Sequence, residues 1–484
     1  MDVKRLTLAD VVEALCGMRP DHAARVISDA VVDSRQASPR SLFVALPGEK
    51  TDGHQYIPDA FQKGALVALI QNDPPAGYAS LDLRGEPDCD DVSALLKDLD
   101  PDAPICLRVE NSLEALQRIA AFWRRKFEDL RVIGITGSVG KSTTKEVVAE
   151  VLNRRHPTLK NPGNLNNEIG LPLTLLRLTG EHEYAVLEMG FYVPGEIKFL
   201  CDIALPQVGV ITNVGTVHAE RAGSQEAIAR GKAELVEALP PAPEGVAILN
   251  YDDPLVRAMA EKTQGKVFYY GLTPQADLWA DEVEGLGLDG IRFRLHYKKE
   301  ILHMRVPLIG RHSVHTALRA TAVALQEGFS WHDIINGLRS GNTQLRLVVV
   351  RSKCGATLLD DTYNASPEST MAALNLLDEL NGRKVAVLGD MLELGPYEQR
   401  GHEMVGRRVA QIVEELITVG RLGHLIADAA RRGGMPSEAI VEFEDCDGVV
   451  EYLQPRLCDQ DVVLIKGSRG MRMDKIVAAL ESRS

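Results

Sequence analysis

The chain has few cysteines, no excess of positive charge and no long apolar run, and each shortage excludes a class of protein. Its seven cysteines are dispersed and include no Cys-x-x-Cys pair, which argues against a disulfide framework or a zinc site. The formal net charge of −14 argues against a general nucleic-acid binder, because such a protein needs a cationic surface to release counterions. We therefore expect reduced thiols and no nucleic-acid partner.

The missing apolar runs bear on location. No run approaches the roughly 20 residues that cross a bilayer, and MDVKRLTLADVVEAL at the start has charges where a signal peptide is apolar. The apolar fraction of 45% is ordinary for a globular protein, and 484 residues exceed a single core. We expect a cytoplasmic monomer of several domains without membrane insertion.

The most informative stretch that is present is RVIGITGSVGKSTTKEVVAEVL, residues 131–152. Its apolar start predicts a buried strand, its glycines a turn, and its second half an amphipathic helix. Backbone N–H groups of such a turn and the helix N-terminus favour an anion. Lys141 would add positive charge at the phosphates, and the Ser142 hydroxyl would bind Mg²⁺.

This loop is a variant of the usual pattern. Five residues before Gly140 the pattern has glycine, whereas this chain has Ile135; its glycines are Gly134, Gly137 and Gly140. The alternative is a tight strand-to-helix turn without a ligand. The sequence Gly-Lys-Ser-Thr-Thr after a strand favours the phosphate site.

The rest of the chain indicates three α/β blocks, at residues 1–106, 107–345 and 346–484. The first has short apolar segments and a Pro/Asp-rich stretch, residues 86–104, that predicts a loop or linker. The second and third alternate strands with helices, which predicts parallel sheets. In the second, IRFRLHY follows Leu-Asp-Gly and predicts a small antiparallel hairpin.

Two polar residues at predicted strand ends of the second block are candidate metal ligands. Glu188 closes YAVLEMG, and a carboxylate there could hold Mg²⁺, which prefers oxygen ligands. His218 follows GVITNVG. A solvated strand end and an ordinary loop histidine are the respective alternatives.

Eight segments follow one another along the chain: DSRQASPRSLFVALPGEKTDGHQYI, GITGSVGKSTTKE, NPGNLNNEIGLPLTLL, LEMG, ITNVGTVHAERAGSQEAIARGKAEL, DDTYNASPEST, LGDMLELG and IKGSRG. In this order they resemble the Mur ligase family over the whole chain. The resemblance implies a small N-terminal α/β domain for a UDP-sugar. It also implies a central ATPase with a parallel sheet plus a small antiparallel sheet, and a mobile C-terminal Rossmann-like domain.

The resemblance also implies a reaction. ATP phosphorylates the terminal carboxylate of a peptide, and an incoming amine displaces the phosphate. The most similar branch joins D-alanyl-D-alanine to a UDP-N-acetylmuramoyl-tripeptide, so these substrates, ATP and Mg²⁺ are expected. The amine must lose its proton before it attacks, and His218 is a candidate for that step or for metal placement.

Residue roles carry over from the family only at matching positions. Lys232 corresponds to a lysine that is commonly carbamylated and then binds a second Mg²⁺, and Arg346 to an arginine that reaches the γ-phosphate. The expected nucleotide contacts are Gly137, Ser138, Gly140, Lys141, Ser142, Thr143, Asn250, Asp361, Tyr363 and Asn364. A lysine on a solvated helix face is the alternative for Lys232.

The expected substrate contacts are spread over all three blocks. Amides in GNLNNEIG suit a polar sugar-peptide, and an arginine suits a diphosphate. The candidates are Ser34, Arg35, Thr51, Asp52, His54, Asn164, Asn166, Asn167, Lys466, Ser468 and Arg469. The alternatives are a capped polar loop, a surface salt bridge near Arg35 and solvated strand ends in the third block.

The chain departs from the family in two places. Ser313 and Thr316 stand where relatives carry asparagine near the adenine, so the resemblance does not carry base recognition over to this stretch, and Asn250 is the candidate that compensates. Asn161 replaces a usual threonine.

Four other interpretations stay open. They are the ligase that adds the preceding residue, folylpolyglutamate synthase, a nucleotide-dependent switch or scaffold protein, and an inactive relative. The sequence leaves open whether the third residue of the tripeptide is lysine or diaminopimelate and whether D-Ala-D-Lac is tolerated.

Overall fold

In a computed structural model, the described residues are 4–48, 51–85, 89–216, 219–340 and 347–482. Their strands form three sheets. The strands, numbered in chain order, are β1 Ala30–Val31, β2 Leu42–Val44, β3 Val67–Ile70, β4 Ala79–Asp82, β5 Ile105–Arg108, β6 Arg131–Thr136, β7 Thr158–Lys160, β8 Tyr184–Glu188, β9 Val208–Ile211, β10 Val246–Asn250, β11 Lys266–Gly271, β12 Leu278–Gly285, β13 Ile291–Tyr297, β14 Glu300–Val306, β15 Val348–Arg351, β16 Thr357–Asp361, β17 Arg383–Gly389, β18 Glu415–Val419, β19 Ile440–Phe443 and β20 Asp461–Lys466.

Helices alternate with most of these strands, as the α/β prediction required. The helices of the described residues are α1 Leu8–Cys16, α2 Ile57–Gln62, α3 Cys89–Asp98, α4 Ser112–Arg125, α5 Lys141–Leu152, α6 Gly170–Leu175, α7 Glu196–Ala204, α8 Ala219–Ala222, α9 Gln225–Glu237, α10 Pro254–Arg257, α11 Val314–Gln326, α12 Trp331–Arg339, α13 Pro367–Glu379, α14 Glu398–Val409, α15 Gly423–Arg432, α16 Asp447–Leu453 and α17 Asp474–Leu480. None of them combines the length and the hydropathy needed to cross a membrane.

The three sheets differ in strand direction. The first has the order β1-β2-β3-β5-β4 with parallel pairing. The second has the order β14-β13-β12-β11-β10-β9-β6-β8-β7 and ends in the antiparallel strands β12, β13 and β14. The third, β15-β16-β20-β17-β18-β19, is parallel except for the edge strand β15. The α/β class and the antiparallel hairpin are therefore confirmed.

The third sheet has helices on both faces. Along β17, Val385 and Val387 pack into one core, with residues of α16 and α17. The alternate residues Ala386 and Leu388 pack into the other core, with residues of α13, α14 and α15. Because successive side chains of a strand point to opposite faces, an uninterrupted apolar strand of this kind indicates a doubly wound sheet.

One local prediction was wrong. The Pro/Asp-rich stretch 86–104 was expected to be a loop or linker, yet it contains α3. Val92 and Leu96 stand four positions apart and are buried. Asp90 and Asp91 lie in the first turn, where negative side chains interact favourably with the helix dipole. This short apolar stripe outweighs the polar composition.

Contacts within the chain define two compact units. One comprises Met1–Gly134, Arg155–Gly190 and Glu196–Gln207, and the other Ile135–Arg154, Phe191–Gly195 and Val208–Ser484. Each unit is described by itself below. The domain boundaries after residues 106 and 345 stay a prediction.

Candidate active site

The phosphate loop, residues 137–140, joins β6 to α5. Gly137 has φ of +145° and Gly140 φ of +85°, values that favour glycine because side chains clash with the backbone there. A Cβ on Gly137 would lie 1.8 Å from Thr212 Oγ1, so the loop also requires a residue without a side chain at this position. Because α5 begins directly after Gly140, its N-terminus adjoins the loop and favours an anion.

Lys141 and its neighbours supply the polar groups of this turn. Lys141 Nζ donates to the carbonyl oxygens of Gly137 and Ser138, at 2.8 and 3.3 Å. A phosphate oxygen is a stronger acceptor than a carbonyl, because both partners of the bond are then charged. Ser142 and Thr143 follow in the first turn of α5 and line the same cavity as Lys141.

Asn213, which the sequence analysis did not single out, holds the loop in shape. Its carbonyl oxygen accepts from Ser138 N at 2.9 Å, and its Oδ1 accepts from Val139 N at 2.9 Å. Its Nδ2 donates to Val139 O at 3.2 Å. The side chain of Asn213 therefore holds Val139, and its backbone carbonyl holds Ser138.

Arg319 on α11 is a second residue that the sequence analysis missed. Its guanidinium is buried and donates to Thr144 Oγ1 at 2.8 Å, Thr316 Oγ1 at 2.8 Å and Tyr270 Oη at 3.3 Å. Thr144 Oγ1 in turn donates to Gly140 O at 2.6 Å. This arrangement places a fixed positive charge next to the start of α5, where it favours an anion.

A cavity of about 360 Å³ lies over this loop within the second unit. Both the central segment of that unit (residues 135–154 and 208–340) and its C-terminal segment (residues 347–482) line it. The cavity brings together these predicted site residues: Ser138, Gly140, Lys141, Ser142, Thr143, Asn250, Asp361, Asn364 and Lys466. Its volume falls in the range of small-molecule sites.

The polar groups at the positions where relatives carry asparagine are engaged within the protein. Ser313 Oγ donates to Ile309 O at 2.6 Å, and Thr316 Oγ1 accepts from Arg319. Asn250, the expected substitute, donates from Nδ2 to Thr212 O at 3.1 Å and accepts at Oδ1 from Asp252 N at 3.1 Å.

Apolar side chains line the same cavity from both segments. Ile309 comes from the central segment, and Ala372, Ala373 and Leu376 come from α13. Such a surface can bind the flat base of a nucleotide through dispersion contacts and burial, in place of hydrogen bonds.

The predicted residues of the C-terminal segment are tied to one another. Lys466 is buried, and its Nζ donates to Asp361 Oδ2 at 2.6 Å and to Asn364 O at 2.8 Å. Ser468 Oγ accepts from Leu392 N at 2.9 Å. The Lys466 ammonium thus orients the carboxyl end of β16, and a contact with a substrate carboxylate stays a prediction.

Tyr363 and Arg469 form a separate contact nearby in sequence. The Arg469 guanidinium carbon lies 5.8 Å from the centre of the Tyr363 ring. Tyr363 is more than one-third exposed. The structure therefore pairs a predicted nucleotide contact with a predicted substrate contact.

Glu188 belongs to the first unit and is fully buried at the end of β8. Its Oε1 accepts from Asn166 Nδ2 at 2.9 Å. The side chain of Asn161 binds both backbone groups of Glu188: Oδ1 accepts from Glu188 N at 2.9 Å, and Nδ2 donates to Glu188 O at 3.0 Å. The carboxylate is thereby held in one orientation, as a metal ligand needs to be.

The three asparagines of GNLNNEIG have different surroundings. Asn166 contacts Glu188, whereas Asn167 Oδ1 accepts from Gly170 N at 2.9 Å and caps the start of α6. Asn164 is exposed. The amides of Asn166 and Asn167 are therefore engaged within the protein, and substrate contact by the set stays a prediction.

Lys232 lies on α9 and is 1% exposed. Its Nζ is 4.9 Å from the centre of the Phe191 ring, and Gly231 allows that ring to approach, since a Cβ there would lie 2.0 Å from it. Burial, and then the positive charge of Lys141, lower the pKa of Lys232 well below the usual lysine value. An amine in this setting loses its proton readily, and the uncharged amine is the form that reacts with carbon dioxide.

The N-terminal candidates form two small motifs in the first unit. Ser34 is buried, and the largely exposed Arg35 binds Asp33 through both Nε and Nη2, at 2.9 and 2.7 Å. Asp52 Oδ1 binds His54 Nδ1 at 2.6 Å, while His54 Nε2 accepts from Gln71 N at 2.9 Å.

Because His54 Nε2 accepts from the Gln71 N–H, the proton of the neutral His54 ring is on Nδ1, which faces Asp52. Thr51, next to Asp52, is exposed. Their role in UDP-sugar binding stays a prediction. Two further predicted residues, His218 and Arg346, lie outside the described residues.

Comparisons with known families and proteins cover almost the whole chain. The Mur ligase middle domain matches residues 135–324, the Mur ligase glutamate ligase domain matches 345–469, and the Mur ligase family catalytic domain matches 27–82. The UDP-N-acetylmuramoyl-tripeptide–D-alanyl-D-alanine ligase of Bacillus subtilis is 32% identical, over 99% of this chain and 98% of the relative.

Solved structures agree with this assignment. MurF from Acinetobacter baumannii superposes with a TM-score of 0.80 at 31% identity, over 99% of this chain and 98% of that one. MurF ligase from Thermotoga maritima in complex with ADP has a TM-score of 0.75 at 27% identity, over 93% and 96%. The chain belongs to the Mur ligase family.

Proposed function

We propose that this chain joins D-alanyl-D-alanine to a UDP-N-acetylmuramoyl-tripeptide at the expense of ATP, which gives the UDP-muramoyl-pentapeptide of peptidoglycan synthesis. The observation that carries the proposal is the cavity lined by both the phosphate loop and the polar strand ends of the C-terminal segment. The similarity to ligases of this name over nearly the full chain supports it.

The chemistry explains why a phosphate loop serves an amide-forming enzyme. A carboxylate resists attack because its charge repels a nucleophile and oxide is a poor leaving group. Transfer of the γ-phosphoryl group turns that oxygen into a good leaving group, as an acyl phosphate. Lys141 and the N-terminus of α5 stabilise the negative charge on the phosphoryl oxygens during transfer.

Mg²⁺ is part of the proposal. Ser142 and Glu188 both offer oxygen atoms, which this ion prefers, and Glu188 is buried and held by Asn166. Among the described residues, no group of three or more His, Cys, Asp or Glu forms a metal cage. Mg²⁺ usually keeps several waters and binds substrate phosphates, and the ion would neutralise phosphate charge there.

Carbamylation of Lys232 belongs to the same proposal. Its lowered pKa and its burial favour reaction with carbon dioxide, and the product is an anion that suits a second Mg²⁺. Crystallographic density at Nζ in crystals grown with ADP and high bicarbonate would test this. A bare ammonium under those conditions would contradict it.

Roles for His218, Arg346 and the N-terminal candidates belong to the same proposal. His218 is proposed to accept the proton of the incoming amine or to place the metal, and Arg346 to contact the γ-phosphate. Ser34, Arg35, Thr51, Asp52 and His54 are proposed to bind the UDP-sugar. We further propose that the enzyme acts in the cytoplasm as a monomer.

Product analysis tests the function. The chain is incubated with ATP, Mg²⁺, D-alanyl-D-alanine and either the lysine or the diaminopimelate form of the UDP-muramoyl-tripeptide, and products are identified by mass spectrometry. We expect pentapeptide, with phosphate release only when both peptides are present. Phosphate release with neither peptide would favour a switch protein. In a separate incubation, ligation of a free amino acid to a UDP-muramoyl-dipeptide would favour the preceding ligase.

A further inference from the structure

Helix α13 carries a glutamate at each end, and both contact the central segment of the second unit. At the N-terminal end, Glu368 Oε1 accepts from Thr216 N at 3.2 Å and from Thr216 Oγ1 at 3.3 Å. The approach is close: a Cβ on Gly215 would lie 2.9 Å from Glu368 Oε1. The helix is thus attached to the loop that follows β9.

At the C-terminal end, Glu379 Oε1 lies 3.4 Å from Arg311 Nε. The carboxylate also packs against β12, where a Cβ on Gly285 would lie 1.8 Å from Glu379 Oε2. Burial raises the pKa of Glu379, and Arg311 opposes that effect. With 13 residues, α13 spans about 20 Å between these two contacts.

The contact at Glu368 continues into the phosphate loop. Gly215, the residue before Thr216, donates from its N–H to Ser138 Oγ at 2.8 Å. Ser138 belongs to the phosphate loop and lines the cavity. Between its two ends, α13 contributes Ala372, Ala373 and Leu376 to the same cavity. One helix therefore joins the cavity wall to the loop that holds phosphate.

Both contacts are incomplete, which suits a contact that forms and breaks. Glu368 Oε2 and Glu379 Oε2 are buried and have no hydrogen-bond partner among the described residues. Leaving a buried acceptor unpaired is unfavourable, so the contacts stabilise this arrangement of the two segments less than fully paired carboxylates would. Lids and domains that close over a substrate have to open again to release product.

We propose that α13 acts as a clasp, with Glu368 and Glu379 as the positioning residues that hold the C-terminal segment against the phosphate loop during the reaction. This rests on the proposed function. A loosened clasp admits water to the acyl phosphate, which then hydrolyses: the P–O–C linkage breaks, water supplies the oxygen, and ATP is consumed without an amide.

The first test compares Glu368→Ala with Glu368→Gln, which keeps an oxygen acceptor for the Thr216 N–H. Glu451→Ala, at an exposed glutamate of α16, is the matched control. For Glu368→Ala we expect kcat about tenfold lower and more phosphate released per amide, with the glutamine variant close to the unsubstituted chain. Equal kcat and equal phosphate-to-amide ratio in Glu368→Ala and the control would overturn the clasp.

A second measurement does not depend on ligation. Small-angle scattering with ADP and Mg²⁺ should give a larger radius of gyration for Glu368→Ala and Glu379→Ala than for Glu451→Ala. Equal radii would overturn the clasp even if the chain formed no amide at all. Failure of the unsubstituted chain to form an amide, with the radii as expected, would overturn only the proposed function.

Discussion

The molecule contains two strand-to-helix turns of similar layout that are used in opposite ways. Between β6 and α5, the turn ends in Gly140 and Lys141 and faces a cavity. Between β18 and α15, Gly420 has φ of +99°, and the N–H of Leu422 donates to Asp390 Oδ1 at 2.9 Å. The second turn is occupied by a carboxylate of the protein itself.

This difference shows that an α/β turn at a strand end is not in itself a ligand site. A helix N-terminus attracts an anion, and the protein can supply that anion from its own chain. Asp390 is 5% exposed, and burial raises the pKa of its carboxyl while the N–H of Leu422 opposes the shift. The Rossmann-like sheet of the C-terminal segment thus uses this position for its own stability.

The largest expected effect is at the first turn. Lys141→Ala removes the side chain that carries positive charge to the phosphates, so turnover should fall about 10²- to 10³-fold. Phosphate release in the presence of both peptides measures it. Lys262→Ala, at an exposed lysine paired with Glu237, is the control and should keep full activity. Unchanged turnover in Lys141→Ala would contradict a role of Lys141 in phosphoryl transfer, and no turnover in either chain would favour an inactive relative.

Asp390→Ala tests the second turn. It leaves the N–H of Leu422 without its acceptor, so the free energy of unfolding should fall by about 1–3 kcal/mol. Thermal unfolding measures the loss, and ADP affinity, measured by calorimetry, should stay that of the unsubstituted chain. A loss of ADP affinity without a loss of stability would contradict the contrast between the two turns.

Lys232→Met tests the effect of burying a lysine whose pKa is lowered by burial and then by Lys141 of the first turn. The unfolded chain binds a proton at Lys232 that the folded chain holds weakly, so folding releases it and stability rises with pH up to the ordinary lysine pKa. The methionine variant should therefore be more stable at pH 7, by about 1–3 kcal/mol, and should lack this pH dependence. Ligation should be lost.

Denaturant unfolding in bicarbonate-free buffer across neutral to alkaline pH gives the comparison for Lys232. Lys198→Met, at an exposed lysine paired with Asp202, is the control. A less stable Lys232→Met at neutral pH would mean that the ammonium is well solvated or paired in the folded chain.

The smallest effect is expected at the rim where the two segments meet. Arg221 and Glu393 form an ion pair at 3.7 Å between side chains that are 56% and 36% exposed. Exposed pairs contribute little, so Arg221→Ala should change the free energy of unfolding by less than about 1 kcal/mol. A loss as large as that of Asp390→Ala would contradict the small contribution expected of an exposed ion pair.

Much of the fold could be predicted because strand and helix periods are local. The strands that end at Glu188 and Asp361 and the hairpin at Ile291–Tyr297 all appear where the pattern indicated. Helix α3 was missed because its apolar stripe is only two residues long in a polar stretch. The antiparallel edge strand β15 was missed because its direction depends on pairing with β16 and not on its own sequence.

The site was predicted less completely, since its supporting residues act across long separations. Arg319 sits in α11, a helix rich in alanine, and its charge is the only feature of the sequence that sets it apart. It contacts Thr144, which lies 175 positions away in the chain. Asn213 gave no signal beyond a strand-end asparagine. Asn166 and Asn167 looked equivalent in the sequence, yet one holds a carboxylate and the other caps a helix.

The path of one oxygen atom tests the proposed mechanism most directly. The UDP-muramoyl-tripeptide is prepared with a heavy oxygen isotope in its terminal carboxylate and ligated with ATP and D-alanyl-D-alanine. An acyl-phosphate intermediate predicts that one labelled oxygen appears in inorganic phosphate for each amide formed. Amide formation with unlabelled phosphate would contradict it.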